Sequence, residues 1–256
     1  MYYYINKLKK IGIVSIKKQE EINGATANFY GLEYSAFGID VGNNEEEISE
    51  LRIMDKKMID FFSPIIQGNR FKGIIVVGCP TQHGPFNAFA RDGHYSTYLG
   101  FFLGQYVKLP ENFAVKLDID VKSEKAEKQN MIVIGGPGVN VISYELNKKF
   151  PYFFNIKSSK YGYLMGGIVS KKTGEVYNDD NIGVIQKIKN PWEKSKEIIM
   201  IAGKKAIGTK ACILGITKFY KEILKTYNNQ KEWGVLIKGL DKDGDGKIDA
   251  VEVIED

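Results

Sequence analysis

Three short aliphatic runs, each followed by a glycine turn and then by a helix-forming stretch, limit the folds open to this chain more than any other feature. Ile74-Ile75-Val76-Val77 leads into Gly78-Cys79-Pro80 and, after a loop, a helix over about 95–106. Met131-Ile132-Val133-Ile134 leads into Gly135-Gly136-Pro137-Gly138 and a helix over about 140–150. Ile198-Ile199-Met200-Ile201 leads into Ala202-Gly203 and then, past a lysine pair, into Gly208-Thr209 and a helix to about residue 225. A strand that is apolar at every position is covered on both faces, which is the usual state of a parallel sheet flanked by helices. The repeat therefore predicts an α/β fold: a three-layer α/β sandwich with a mainly parallel sheet and an antiparallel extension. Residues 152–189 supply the extension, with Tyr163-Leu164-Met165 and Gly183-Val184-Ile185 on either side of the turn Lys172-Thr173-Gly174. Val115, Leu117, Ile119 and Val121 alternate with Lys116, Asp118 and Asp120, which predicts a half-exposed edge strand.

Open parallel sheets hold ligands at the carboxyl ends of their strands, so the glycine turns mark a candidate site. Gly135, Gly136, Gly138 and Asn140 run straight into a helix, whose free N–H groups favour an anion, and Lys204, Gly208 and Thr209 add charge and a second turn. Neither the dinucleotide fingerprint nor the P-loop lysine pattern occurs there, and tight packing of the turns is the alternative reading. The first turn opens the most concentrated polar loop, with Cys79, His83, Arg91, Asp92 and His94 as catalytic candidates. They suit a thiol–imidazole nucleophile pair, a transition-metal set, or a hydrogen-bonded clamp around a buried Cys79.

Near the carboxyl terminus, Asp241, Asp243, Asp245, Asp249 and Glu252 occupy positions 1, 3, 5, 9 and 12 of a calcium-type loop, with Gly246 at position 6 and Lys247 at position 7. Calcium, or magnesium, is the expected cofactor; no organic cofactor is indicated. The flanking runs Val235-Leu236-Ile237 and Val251 to Ile254 are strand-like, so a hairpin clasped around an ion is expected rather than a helix-loop-helix. The balance of 36 basic and 31 acidic residues gives a net charge of +5, a mild pull towards anionic partners. Cys79 and Cys212 are too few for a disulfide framework, and no apolar run reaches membrane-spanning length, so a cytoplasmic location without membrane contact is expected.

Residues 2–11 place Tyr4, Ile5, Leu8 and Ile11 on one helical stripe beside Lys7, Lys9 and Lys10, and Gly12 ends the run. Two extended runs about Asn23-Gly24 then form a hairpin that carries Lys17 and Lys18. Tyr3 to Val14 resembles the recognition helix and first wing strand of ArsR-like archaeal winged-helix regulators, and Asn23 to Tyr30 resembles the second wing strand. The resemblance covers about forty residues and lacks the two helices that precede a recognition helix. Either the gene product begins upstream of Met1 or this arm is a remnant. The likeness implies that Lys7, Lys9, Lys10, Lys17 and Lys18 approach phosphates of double-stranded DNA, in a homodimer joined through a connecting helix. That helix is expected over 45–62, from Ile48, Leu51, Ile53, Met54, Met58, Ile59 and Phe62.

The segments 73–80, 83–85, 90–94, 132–140, 201–203, 208–209 and 239–252 resemble the α/β domain of archaeal proteins labelled S-layer-like, which implies no catalytic activity. The expected organisation is a partial winged helix over 1–42, a connecting helix within 43–69 and the α/β domain over 70–256. The expected function is a DNA-associated transcriptional regulator whose α/β domain senses a small anionic ligand or dimerises. The alternatives are an enzyme acting on a phosphorylated or nucleotide-like molecule and an S-layer-like structural module.

Overall fold

The computed structural model describes residues 2–22, 24–33, 51–160 and 162–256, which fall into two units, Met1–Ser49 and Glu50–Asp256. In the first unit, α1 (Tyr2–Lys10) precedes an antiparallel hairpin of β1 (Val14–Ile22) and β2 (Ala25–Leu32), with a register shift between Ile16 and Lys18. Gly12 and Gly24 turn the chain with φ of 77° and 76°, a region that other residues enter at a cost. No residue of α1 is buried in its unit.

The second unit begins differently from the expected connecting helix. Residues 51–55 are not helical, and α2 is only Lys56–Phe62, capped by Asp55, whose carboxylate accepts from the Lys57 N–H at 2.9 Å. The expected stretch 45–50 lies outside the described residues. Met58, Phe61 and Phe62 are buried in the core of the unit, so α2 belongs to the α/β body.

After the short ladder of β3 (Ile66–Gln67) and β4 (Arg70–Phe71) come β5 (Ile74–Val77), α3 (Tyr95–Leu103), β6 (Val115–Leu117), α4 (Asp118–Ser123), β7 (Met131–Ile134) and α5 (Val141–Leu146). Then follow β8 (Tyr152–Ser159), β9 (Gly162–Ser170), β10 (Val176–Tyr177), β11 (Ile182–Lys189), β12 (Glu197–Gly203), α6 (Ala206–Lys218), α7 (Tyr220–Ile223), β13 (Glu232–Leu240) and β14 (Ala250–Glu255). The seven-stranded sheet runs β14-β13-β11-β12-β7-β5-β6.

Three of its strand pairs are parallel (β6–β5, β5–β7, β7–β12) and three antiparallel, so the sheet is mixed rather than mainly parallel. The reason is that β11 is buried at all but its last position and β13 throughout Trp233–Ile237, and continuous burial does not report strand direction. The run 152–189 also divides: Gly183-Val184-Ile185 joins the main sheet in β11, whereas Tyr163-Leu164-Met165 lies in a separate sheet, β10-β9-β8. The expected edge strand over 115–121 stops at Leu117. Asp118 and Asp120 open α4, where acidic groups suit the helix N-terminus.

Period-two alternation sorts each central strand between two cores. Ile75, Val77, Ile132, Ile134, Ile199 and Ile201 pack with α2, α3 and α6, whereas Ile74, Val76, Met131, Val133, Ile198 and Met200 pack with α5 and β8. The helices after β5 and β12 therefore cover one face, and the helix after β7, which lies between them, covers the other. Loops leaving neighbouring strands towards opposite faces open a crevice at the carboxyl edge.

Candidate functional site

The loops after β5, β7 and β12 enclose a cavity of about 330 Å³ in that crevice. Gly136 and Gly203 line its backbone side, Phe89, Tyr163 and Met165 give it apolar walls, and Arg91, Asp92, Lys204 and Lys205 bring charge. Tyr163 comes from β9 and lies across the second glycine turn so closely that a Cβ at Gly138 would stand 2.4 Å from its ring. A larger hollow of about 620 Å³ lies at the amino end of β5, lined by 70–74 and 108–114, away from all three glycine turns.

Asp92 is the best-positioned polar group in the crevice. Its residue is 4% exposed; Oδ2 accepts from the Thr209 hydroxyl at 3.1 Å, and that hydroxyl in turn accepts from the Gly203 N–H at 3.0 Å. Oδ1 meets no donor. Gly135 permits this placement, because with φ of 101° it turns its backbone beneath the carboxylate, and a Cβ there would lie 3.2 Å from both oxygens. Burial raises the Asp92 pKa above the ordinary carboxylate value, against the lowering effects of the Thr209 hydrogen bond, of its own backbone N–H and of the nearby His94. Burial, and then the charge of Asp92, raise the Tyr163 phenol.

The amino end of α6 supplies the opposite polarity. No side chain caps this helix, and Ala206 at its first position lines the cavity, so the amino end of α6 lies at the cavity wall, with the Gly208 N–H already donating to the Lys205 carbonyl. Lys204 and Lys205 are held together by Asp180, at 3.0 and 2.5 Å, and Lys204 also donates to the Asn178 carbonyl. The guanidinium of Arg91 lies 4.8 Å from the Phe89 ring centre.

The candidates of the first loop separate into two groups. Arg91 and Asp92 face the cavity. Cys79 and His83 form a clamp beneath the loop: the buried Cys79 thiol shares a hydrogen bond with the Thr81 hydroxyl at 3.0 Å rather than with an imidazole. His83 places Nε2 2.9 Å from Asp118 Oδ2 and Nδ1 2.8 Å from the Thr81 carbonyl. Asp118 is fully buried and also accepts from the N–H groups of Cys79, Ile119 and Val141 at 2.9, 3.0 and 2.6 Å. This carboxylate ties the first loop to α4 and α5. His94 turns Nδ1 to the Arg91 carbonyl at 2.8 Å and lies against the Tyr95 ring at a tilt of 48°. The thiol–imidazole pair and the transition-metal set are thus replaced by the clamp.

Two further candidates have structural duties. Asn140 is the cap of α5: its Oδ1 accepts from Ile142 and Ser143, its Nδ2 donates to the Ile134 carbonyl, and the residue is buried. Gly208 packs so tightly that a Cβ would fall 1.9 Å from the Ile182 carbonyl oxygen. Asp118 and Tyr163 were not among the candidates. A signal for Asp118 existed, since cutting the alternating run after Leu117 puts it at the carboxyl end of a strand; for Tyr163 there was none, because a separate sheet delivers it.

The aspartate loop joins β13 to β14 as a hairpin, in line with its flanking residues. Asp241, Asp243 and Asp245 each offer an oxygen within 4.8 Å of the others, and this is the one such group of His, Cys, Asp or Glu among the described residues. Asp241 accepts from the Gly244 and Gly246 N–H groups, Asp245 from Lys247, and Asp249 from Lys242, while Glu252 pairs in register with Lys238. In the first unit, Lys17 is ion-paired with Glu33 at 2.7 Å and Lys18 with Glu20, Lys7 lies over the Tyr3 ring at 4.7 Å, and Lys9 and Lys10 are in the last turn of α1.

The chain matches no family model. Over 142 residues, 53% of its length, it is 30% identical to an uncharacterised protein of Methanocaldococcus jannaschii, and the match spans 28% of that protein. No described helix is long and apolar enough to cross a membrane.

Proposed function

We propose that the unit over 50–256 is a ligand-binding domain that takes a small phosphorylated or nucleotide-like molecule in the crevice beyond β5, β7 and β12. One observation carries this reading: the uncapped amino end of α6, with Arg91, Lys204 and Lys205, opens onto a single cavity between loops that diverge to opposite faces. Binding needs no covalent chemistry, and the clamp role of Cys79 and His83 favours a receptor over a nucleophilic enzyme. Calorimetric titration with inorganic phosphate tests the reading. Saturable heat that is lost in a Lys204→Ala/Lys205→Ala variant supports it, and no binding at millimolar phosphate contradicts it.

A second reading, duplex DNA binding by the first unit, is favoured by the order of α1 and the β1–β2 hairpin. The pairing of Lys17 and Lys18 within the unit leaves α1 as the contacting element. A salt titration of duplex binding checks it: each phosphate contact contributes about one unit to the slope of log affinity against log salt, and a flat response rules out the contacts.

A further inference from the structure

The hollow at the amino end of β5 takes no part in the phosphate reading, and its rim carries two unsupported apolar side chains. The loop over 108–114 is fastened at both ends: the Lys108 N–H donates to the Asn69 carbonyl at 2.9 Å, and the Ile75 N–H donates to the Ala114 carbonyl at 2.8 Å. Between these anchors Leu109 is 93% exposed and Phe113 is 84% exposed, and Pro110 stiffens the arch. Large apolar groups held in water on a fixed loop forgo the free energy that burial against a partner would release. Charge indicates which partner. Arg70 and Lys108 stand opposite each other in a parallel bridge, where like charges repel. With Lys72 they line the same hollow, and none of the three has an ion pair among the described residues. Lys116 is answered by Glu124 at 2.6 Å, and Glu111 is the one carboxylate on the rim.

We propose that this loop docks the chain on an anionic lipid surface, with Leu109 and Phe113 entering the boundary between headgroups and acyl chains and Arg70, Lys72 and Lys108 meeting lipid phosphates. An apolar insert combined with a basic patch is the pair of signals that stable attachment needs, since either alone binds weakly. A small-molecule pocket buries its apolar walls, whereas these side chains stand in water. Single-stranded nucleic acid stacks on flat rings, and Leu109 offers none. Protein interfaces are depleted in lysine and seldom draw their binding energy from leucine; a fluid layer of phosphates accepts both without a fixed geometry. The expectation of no membrane contact came from the lack of a spanning run, and a docked surface needs none.

Sedimentation of the whole chain with vesicles of equal parts phosphatidylglycerol and phosphatidylcholine, against vesicles of phosphatidylcholine alone, tests this. The wild type should partition at least about tenfold more strongly onto the anionic vesicles, since each cation near such a surface contributes about fivefold. Leu109→Ala/Phe113→Ala, which leaves every charge in place, should lower partitioning about tenfold or more. Arg70→Gln/Lys108→Gln should lower it by a similar factor on anionic vesicles only. All four side chains are exposed, so unchanged melting temperatures are expected and show that the fold is kept. Absence of wild-type binding, or binding that the apolar pair does not change, overturns the proposal; the second result would place adsorption on other lysines. Binding of an oligothymidylate that is lost in Phe113→Ala but kept in Leu109→Ala assigns the face to single-stranded nucleic acid and likewise overturns it.

Discussion

Asp92 and Lys187 show two ways in which a buried charge is held. Asp92 binds its proton more tightly in the folded chain than in the unfolded one, because burial outweighs its hydrogen bond. Its contribution to stability is therefore fully present at low pH and is lost as pH rises from the ordinary carboxylate value through the raised one. Asp92→Asn, which has no charge to bury, should melt with the wild type in acid and above it near neutral pH, by about 1 kcal/mol. Thermal melts across pH check this, and a variant less stable at neutral pH contradicts it. Lys187 on β11 is buried too, but all its donors are used: Nζ donates to the carbonyls of Phe61 and Ser63 at 2.7 and 2.6 Å and to the Tyr227 hydroxyl at 3.0 Å, and it pairs with Glu197 at 2.7 Å. Burial lowers its pKa and the Glu197 bond pulls it back up. Lys187→Ala leaves Glu197 to Lys189 alone and strands the carbonyls of Phe61 and Ser63, so urea denaturation should show a loss of about 1–3 kcal/mol. A loss below about 1 kcal/mol would mean that water replaces the ammonium.

Two elements have their ends set by acidic residues. At the start of α6, Asp180 holds Lys204 and Lys205, and each lysine lowers the Asp180 pKa, Lys205 the more. On the proposed function, an arriving phosphate would compete with that carboxylate. Asp180→Asn should therefore raise phosphate affinity roughly two- to fivefold, the worth of an exposed ion pair, and unchanged affinity would place the anion elsewhere. In the β13–β14 hairpin, backbone N–H groups already fold the aspartate loop around Asp241, so an ion adds to a formed turn. Calcium should raise the melting temperature over chelator by roughly 3 °C for each kcal/mol of binding linkage, and Asp243→Ala should abolish the increment. Equal melting with calcium and chelator in the wild type would count against an ion at this loop.

Over the whole chain, what the sequence discloses depends on how local the cause is. The strands β5, β7 and β12 are legible because each is apolar throughout, and the alternation within each correctly divides two cores. Sheet direction is less legible, since β11 and the middle of β13 are as buried as the parallel strands β5 and β7. The site was legible in parts. Asp92 and Thr209 stand 117 residues apart and belong to separate sets when spacing alone is read, yet the fold joins them in one hydrogen bond. Cys79 and His83 lie close to Asp92 in sequence, but Asp118 draws them beneath the loop, and reading 115–121 as one alternating strand hides that carboxylate from view. The central claim is that three loops far apart in sequence make one receptor for a phosphate ester. Hydrogen exchange of the whole chain, with and without millimolar ribose 5-phosphate, tests it most directly. Added protection in 89–93, 136–140 and 203–209 together is the predicted result, and protection confined to other segments, or none, would contradict it.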